Sequence, residues 1–163
     1  MRPLLVIAIL FGSFATGFAN DAVAGLPRQS EAAAGRVVKV LPLFLDLKGH
    51  DAISPSLFDR DAYQAYLRQH TNEISAIRFD VLWKASNAKG ATLKLRAELR
   101  GVGEHSLPRQ TVLEKEVTPG ILRSWTSLTL GGDDLKHFGS LVAWRVTLWN
   151  GGQLLGEQTS FLW

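Results

Sequence analysis

The chain has no cysteine among its 163 residues. That absence excludes disulfides, zinc held by thiolates, thiol nucleophiles and a lipid attached at a cleavage-site cysteine. Small exported domains often depend on disulfides because their cores are small. A mature chain of about 140 residues buries enough apolar surface to fold without them. Other chemistries lack their local patterns as well. No serine stands in G-x-S-x-G, and no phosphate-binding P-loop is present. Gly101-Val102-Gly103 has neither a third glycine nor a following helix, so it reads as a loop. His50, His70, His105 and His137 each fall in or beside a loop or a helix end, and no two have metal-ligand spacing. Neither a metal site nor a cofactor is expected. The closest acid–base groupings are His50 with Asp51 and Asp59 with Asp61, and the second is accounted for by the start of a helix. No catalytic residue is assigned, and the chain reads as non-enzymatic.

Charge of one sign is also scarce. The formal net charge is +3, and one unit of it, Arg2, lies in the N-terminal leader. The leader is the only long hydrophobic run. Met1-Arg2-Pro3 precedes an apolar stretch from Leu4 to Phe11, and small residues follow at Gly12, Ser13, Ala15, Thr16, Gly17 and Ala19. One basic residue, a short apolar stretch and small residues make a secretory signal peptide, residues 1–19, with cleavage after Ala19 or after Ala24. An uncleaved anchor is the rival, although residues 4–19 are short of the ~20 apolar residues of a spanning helix. The expected location is periplasmic or extracellular, with no stable membrane insertion once the leader is removed.

Residues 20–35 are rich in Ala, Gly, Ser and Pro and read as a flexible lead-in. No linker divides the remainder, so 36–163 is expected to be one domain. Its first strand, 36–47, contains Pro42, which cannot donate to a ladder and therefore belongs at an edge or a bulge. Ser54-Pro55-Ser56 then supplies cap and first-turn chemistry for a helix over about 56–70. Ala62, Tyr63, Tyr66 and Leu67 form its apolar stripe. Residues 75–86 alternate, with Ile77, Phe79, Val81 and Trp83 on one face. Residues 91–100 alternate likewise, with Leu93, Leu95, Ala97 and Leu99 opposite Lys94, Arg96, Glu98 and Arg100. Runs at 109–118 and 123–130, a helical corner at 131–139 and a closing hairpin around Asn150-Gly151-Gly152 complete seven strands. One polar face per strand marks antiparallel sheets wetted on one side.

The order of these features resembles an immunoglobulin-like or fibronectin-type-III-like sandwich. A short corner helix precedes the penultimate strand and a tight hairpin joins the last two. The resemblance covers roughly residues 36–163 and is architectural; the Cys…Trp…Cys pattern of antibody domains is absent. The fold class is therefore all-β, a seven-stranded antiparallel sandwich with one helix inserted between its first two strands.

Two pairings are open for strand 91–100. Against 75–86, setting Asp80 opposite Arg96 also sets Arg78 opposite Glu98. Against 109–118, as an immunoglobulin-like order implies, Arg96 faces Glu114 and Lys94 faces Glu116. Either neutralises the basic residues of that face, and no aromatics are interleaved with them, so no nucleic-acid binding is expected. The hairpin also has two registers. A Gly151-Gly152 loop pairs Leu148 with Leu155 and Val142 with Phe161. An Asn150-Gly151 loop pairs Val146 with Leu155. The first keeps more apolar residues together and is favoured.

Five tryptophans carry the remaining lead. Trp83 and Trp144 have inward parity, and Trp163 shares the core parity of Phe161. Trp149 has the opposite parity and faces outward near the hairpin turn, and Trp125 begins a strand at the rim. These two are the candidate binding residues, since an exposed indole can stack on a sugar or anchor a protein. The function expected is that of an exported, non-catalytic envelope interaction or accessory domain, whose partner is another envelope protein. A carbohydrate-binding module using exposed tryptophans to hold a glycan is the alternative, and an enzyme with a loop-built site is the least favoured.

Overall fold

Period-two alternation is the strongest pattern in the chain, and it locates the core. The computed structural model describes residues 32–163; the expected leader and residues 20–31 of the lead-in lie outside them. The strands are β1 (Ala34–Asp46), β2 (Ile74–Ser86), β3 (Leu93–Val102), β4 (Pro108–Val117), β5 (Ser124–Gly131), β6 (Ser140–Asn150) and β7 (Gln153–Thr159). Helix α1 (Leu57–Gln69) separates β1 from β2, and α2 (Gly132–Phe138) separates β5 from β6. The strands form two antiparallel sheets, β1-β2-β5 and β4-β3-β6-β7. Their inner faces share one core, in which Ile77, Phe79, Val81 and Trp83 of β2 meet Leu93, Leu95, Ala97 and Leu99 of β3. All eight are buried, as their alternation requires.

β3 pairs with β4 and β6, not with β2. Lys94 faces Glu116 and Arg96 faces Glu114 across β4, which is the second of the two pairings open from the sequence. The outer face of this sheet is an ionic lattice. Glu114 meets Lys94 at 3.1 Å and Arg96 at 3.4 Å, while Glu98 meets Arg96 at 3.0 Å and Arg145 at 2.8 Å.

Pro42 lies in an edge strand, since β1 has only β2 beside it in the sheet. The edge is partly covered by α1. Ser56 caps that helix by accepting from the Asp59 N–H. The face it buries differs from the apolar stripe expected: Gln64 and Leu67 are buried, while Ala62 and Tyr66 are exposed. The reason is the edge itself. The Gln64 amide accepts from the Phe44 N–H at 2.8 Å and donates to the Phe44 carbonyl at 2.8 Å and the Asp51 carbonyl at 2.9 Å. One side chain thus stands in for a neighbouring strand at Phe44, and a polar residue wins the buried position. Gln64→Ala is expected to destabilise the domain by about 1–3 kcal/mol, because it strands buried backbone groups. A urea titration that showed no shift of midpoint would remove this role.

The closing hairpin uses the Gly151-Gly152 loop, with Asn150 opposite Gln153 and Trp149 opposite Leu154. A bulge then shifts the register, so Leu148 faces Gly156 in place of the expected Leu155. Packing against β1 explains the shift. A Cβ on Gly156 would lie 2.8 Å from the Arg36 Cα, and one on Gly35 would lie 2.9 Å from the Leu155 Cβ. Only glycines allow this approach of β7 to β1. The Val142–Phe161 pair does not form, because β7 ends at Thr159 and Phe161 is fully exposed. Trp163 likewise is not in the core. The chain turns at Ser160, whose carbonyl accepts from the Trp163 N–H at 3.2 Å. The indole then lies on the outer face, 3.9 Å from the Arg100 guanidinium and 5.4 Å from that of Arg145. Two cations beside one indole ring hold it there.

Candidate functional site

Where β7 lies against β1, the seam between the two sheets is closed. Further along it opens. β6 has eleven residues and β7 has seven, so β7 runs out before β6 does. The last contacts on that side are made by Ser160, whose N–H donates to the Trp144 carbonyl at 2.9 Å and whose hydroxyl accepts from the Trp144 N–H at 3.0 Å. Ser140 to Ala143 have β3 on one side and no strand on the other. Val142 is left out of the β3 register between Ala143 and Leu141, marking a bulge.

The result is a groove of about 850 Å³, within the usual range for ligand sites. Pro42 and Phe44 of β1 form one wall, Leu141 and Val142 of β6 form the other, and Ile77 and Trp144 contribute from β2 and β6. Trp144, expected in the core, is only partly buried; it packs edge-on to Phe79, with ring centroids 6.4 Å apart. The two inserted helices also line the groove, α1 through Arg68 and α2 through Leu135 and Lys136. Arg68 sits 5.7 Å from the centre of the Phe44 ring. Lys136 pairs with Asp133 at 2.9 Å, with both side chains exposed. Among the described residues, Arg68 and Lys136 are the cations that line the groove, and no aspartate, glutamate or histidine does.

The sequence-expected candidates lie elsewhere and apart. Trp125 projects from the outer face of the β1-β2-β5 sheet and is 55% exposed. Trp149 lies on the outer face of the other sheet, opposite Lys94. It is half-buried against Leu154 of β7, and its indole N–H donates to Thr147 Oγ1 at 2.9 Å. The two indoles therefore face away from each other across the sandwich. No family model, no curated protein and no solved structure matches this chain. The groove is defined by its own geometry alone.

The histidines are dispersed. His70 stacks on Tyr66 at 3.9 Å and His137 contacts the Asp133 carbonyl at 2.7 Å. His50 lies 3.6 Å from Asp46, and the neighbouring Asp51 pairs with Arg78 at 3.3 Å. Among the described residues no three His, Asp or Glu gather as a metal site would require.

Asp46 does anchor the loop between β1 and α1. It accepts from the backbone N–H groups of His50 and Lys48 at 2.9 and 2.8 Å and from the Tyr63 hydroxyl at 2.8 Å. The His50 N–H is the largest influence, and together these bonds hold the carboxyl below its ordinary value of 3.8 against the opposing effect of burial. A depressed folded-state value stabilises the fold fully above about 3.8 and loses that contribution as pH falls through the lower folded value. Asp46→Asn is therefore expected to lower the urea midpoint at neutral pH and to flatten its acid-side decline. Parallel acid-side curves for variant and parent would contradict this.

The groove was not legible from any local motif. Its signal is a difference in length between paired strands together with a proline in the facing edge strand.

Proposed function

We propose that this chain is an exported, non-catalytic sandwich of immunoglobulin-like or fibronectin-type-III-like architecture, and that it serves the cell envelope as an interaction or accessory domain. The strand order supports the architecture. With β1 to β7 taken as A, B, C, C′, E, F and G, the sheets read ABE and C′CFG, the order of such sandwiches with strand D missing. Export rests on the leader at residues 1–19.

The observation that carries the function is the open groove between β1 and β6. Among the described residues it offers apolar walls and two cations but no acid–base pair and no histidine to activate its serines. That composition suits binding better than turnover. The glycan-binding alternative asks for two exposed aromatics in one plane or cleft, which its candidates Trp125 and Trp149, on opposite faces, do not supply. The cations of the β3 outer face are largely matched by Glu98 and Glu114, so that face is a poor counterion for phosphates.

Affinity purification from envelope extract with the full chain as bait is expected to return the same protein repeatedly, and a glycan array to stay silent. Repeated recovery of no partner would count against the proposal.

A further inference from the structure

We propose that the groove receives an extended segment of a partner protein. This deepens the interaction-domain reading and rests on it. The segment adds as a strand along β6 at Ser140–Ala143, buries alternate apolar side chains in the groove and sets an acidic residue against Arg68 and Lys136.

The two walls differ in what their backbones offer. Along β1, Pro42 has no N–H, and both the N–H and the carbonyl of Phe44 are held by Gln64. That wall has little to give an incoming chain. Along β6, strand pairing on the β7 side stops at Trp144, although the strand itself continues to Ser140. An unpaired edge beside an apolar trough is the arrangement that strand addition uses. The open length is four residues, about 13 Å of extended chain, so the docking segment is short. Its side chains alternate in direction, so every second one enters the trough between Phe44, Leu135 and Leu141.

Charge selects the segment. Among the described residues the lining holds Arg68 and Lys136 and no carboxylate. Arg68 has the Phe44 ring as its neighbour and no ion pair among the described residues. The Lys136–Asp133 pair is exposed on both sides, and such pairs exchange at little cost. An acidic residue in the segment would be drawn to these cations. An anionic lipid would use the trough and the cations but leave the β6 edge unpaired, and that difference is measurable.

The experiment places a photo-crosslinking amino acid in the full chain, expressed in its source cells, either at Leu47, which is exposed at the groove rim, or at Trp125, on the outer face of the other sheet. The expected result is a protein adduct from Leu47 and none from Trp125. The cross-linked segment should alternate apolar residues and carry an aspartate or glutamate. That segment, made as a peptide, should add hydrogen-exchange protection to backbone amides within Ser140–Ala143. It should bind the Arg68→Glu/Lys136→Glu variant about ten-fold or more weakly. A protein adduct from Trp125 alone would leave the interaction reading standing and overturn the groove proposal. A lipid adduct from Leu47, an adduct to a second copy of this chain, or peptide binding without new protection in β6 would also overturn it. No protein adduct from either position would sink both.

Discussion

Trp83→Ala is expected to destabilise the domain by about 3–5 kcal/mol, the range for truncating a large aromatic in a core. Against the 5–15 kcal/mol of an ordinary domain, that loss leaves little or no folded population on mild heating. The size follows from position. Trp83 is 1% exposed, lies in the central strand of its sheet, and is flanked by Val37 of β1 and Ser124 of β5. Its indole N–H donates to Thr126 Oγ1 at 2.9 Å, so its polar atom is matched inside the core. Truncation removes the ring, leaves a cavity between the sheets and strands a hydroxyl. Trp125, on the outer face of the adjacent strand β5, provides the control: it is 55% exposed, and Trp125→Ala should change stability by no more than ~0.5 kcal/mol. Chemical denaturation of both variants decides the matter. Equal losses would mean that Trp83 is not held by the core as its burial implies.

The contrast between these indoles shows which parts of the fold were readable in advance. Strands β2 and β3 were, because each alternates without interruption and a period of two admits only two choices of inner face. The outward face of Lys94 and Arg96 was readable too, while their pairing with the Glu114 strand was one of two arrangements that opposite charges allowed. The features that escaped reading all depend on another layer of the molecule. The buried face of α1 carries Gln64 because Phe44 presents an edge that needs pairing. The bulge opposite Gly156 exists because β1 passes within van der Waals contact of β7. Trp163 leaves the core parity of its strand because two arginines on the outer face offer a better seat than an unpaired trough. None of these leaves a periodic trace in the segment where it occurs. The groove is the sum of the last two: β7 is drawn to β1 at one end and abandons β6 at the other. The candidate site was therefore legible only as an edge strand containing Pro42, and its charges and depth were not.

Gly139→Ala is expected to cost about 2–6 kcal/mol, from two sources acting together. Gly139 ends α2 at φ 78° and ψ −136°, a conformation that side chains avoid at a cost of about 1–3 kcal/mol. Its missing Cβ also allows a close approach. A methyl there would sit 2.3 Å from the Val102 carbonyl oxygen and 2.7 Å from the Gly103 Cα. Both obstacles are backbone and cannot swing aside, so overpacking adds about 1–3 kcal/mol. Gly132, at the other end of the same helix, separates the two sources, because it has φ 61° and nothing within 4 Å of its would-be Cβ. Gly132→Ala should show the conformational part alone, about 1–2 kcal/mol. The difference between the two variants in a urea titration measures the contact between the α2–β6 corner and the end of β3. That contact also sets where α2 stands over the groove, since Gly139, Leu135 and Lys136 all line it. Gly139→Ala should therefore weaken a docked segment even where enough folded protein remains to bind it. Equal stability losses for the two glycines would show that the corner is held by its backbone conformation and not by its packing on β3.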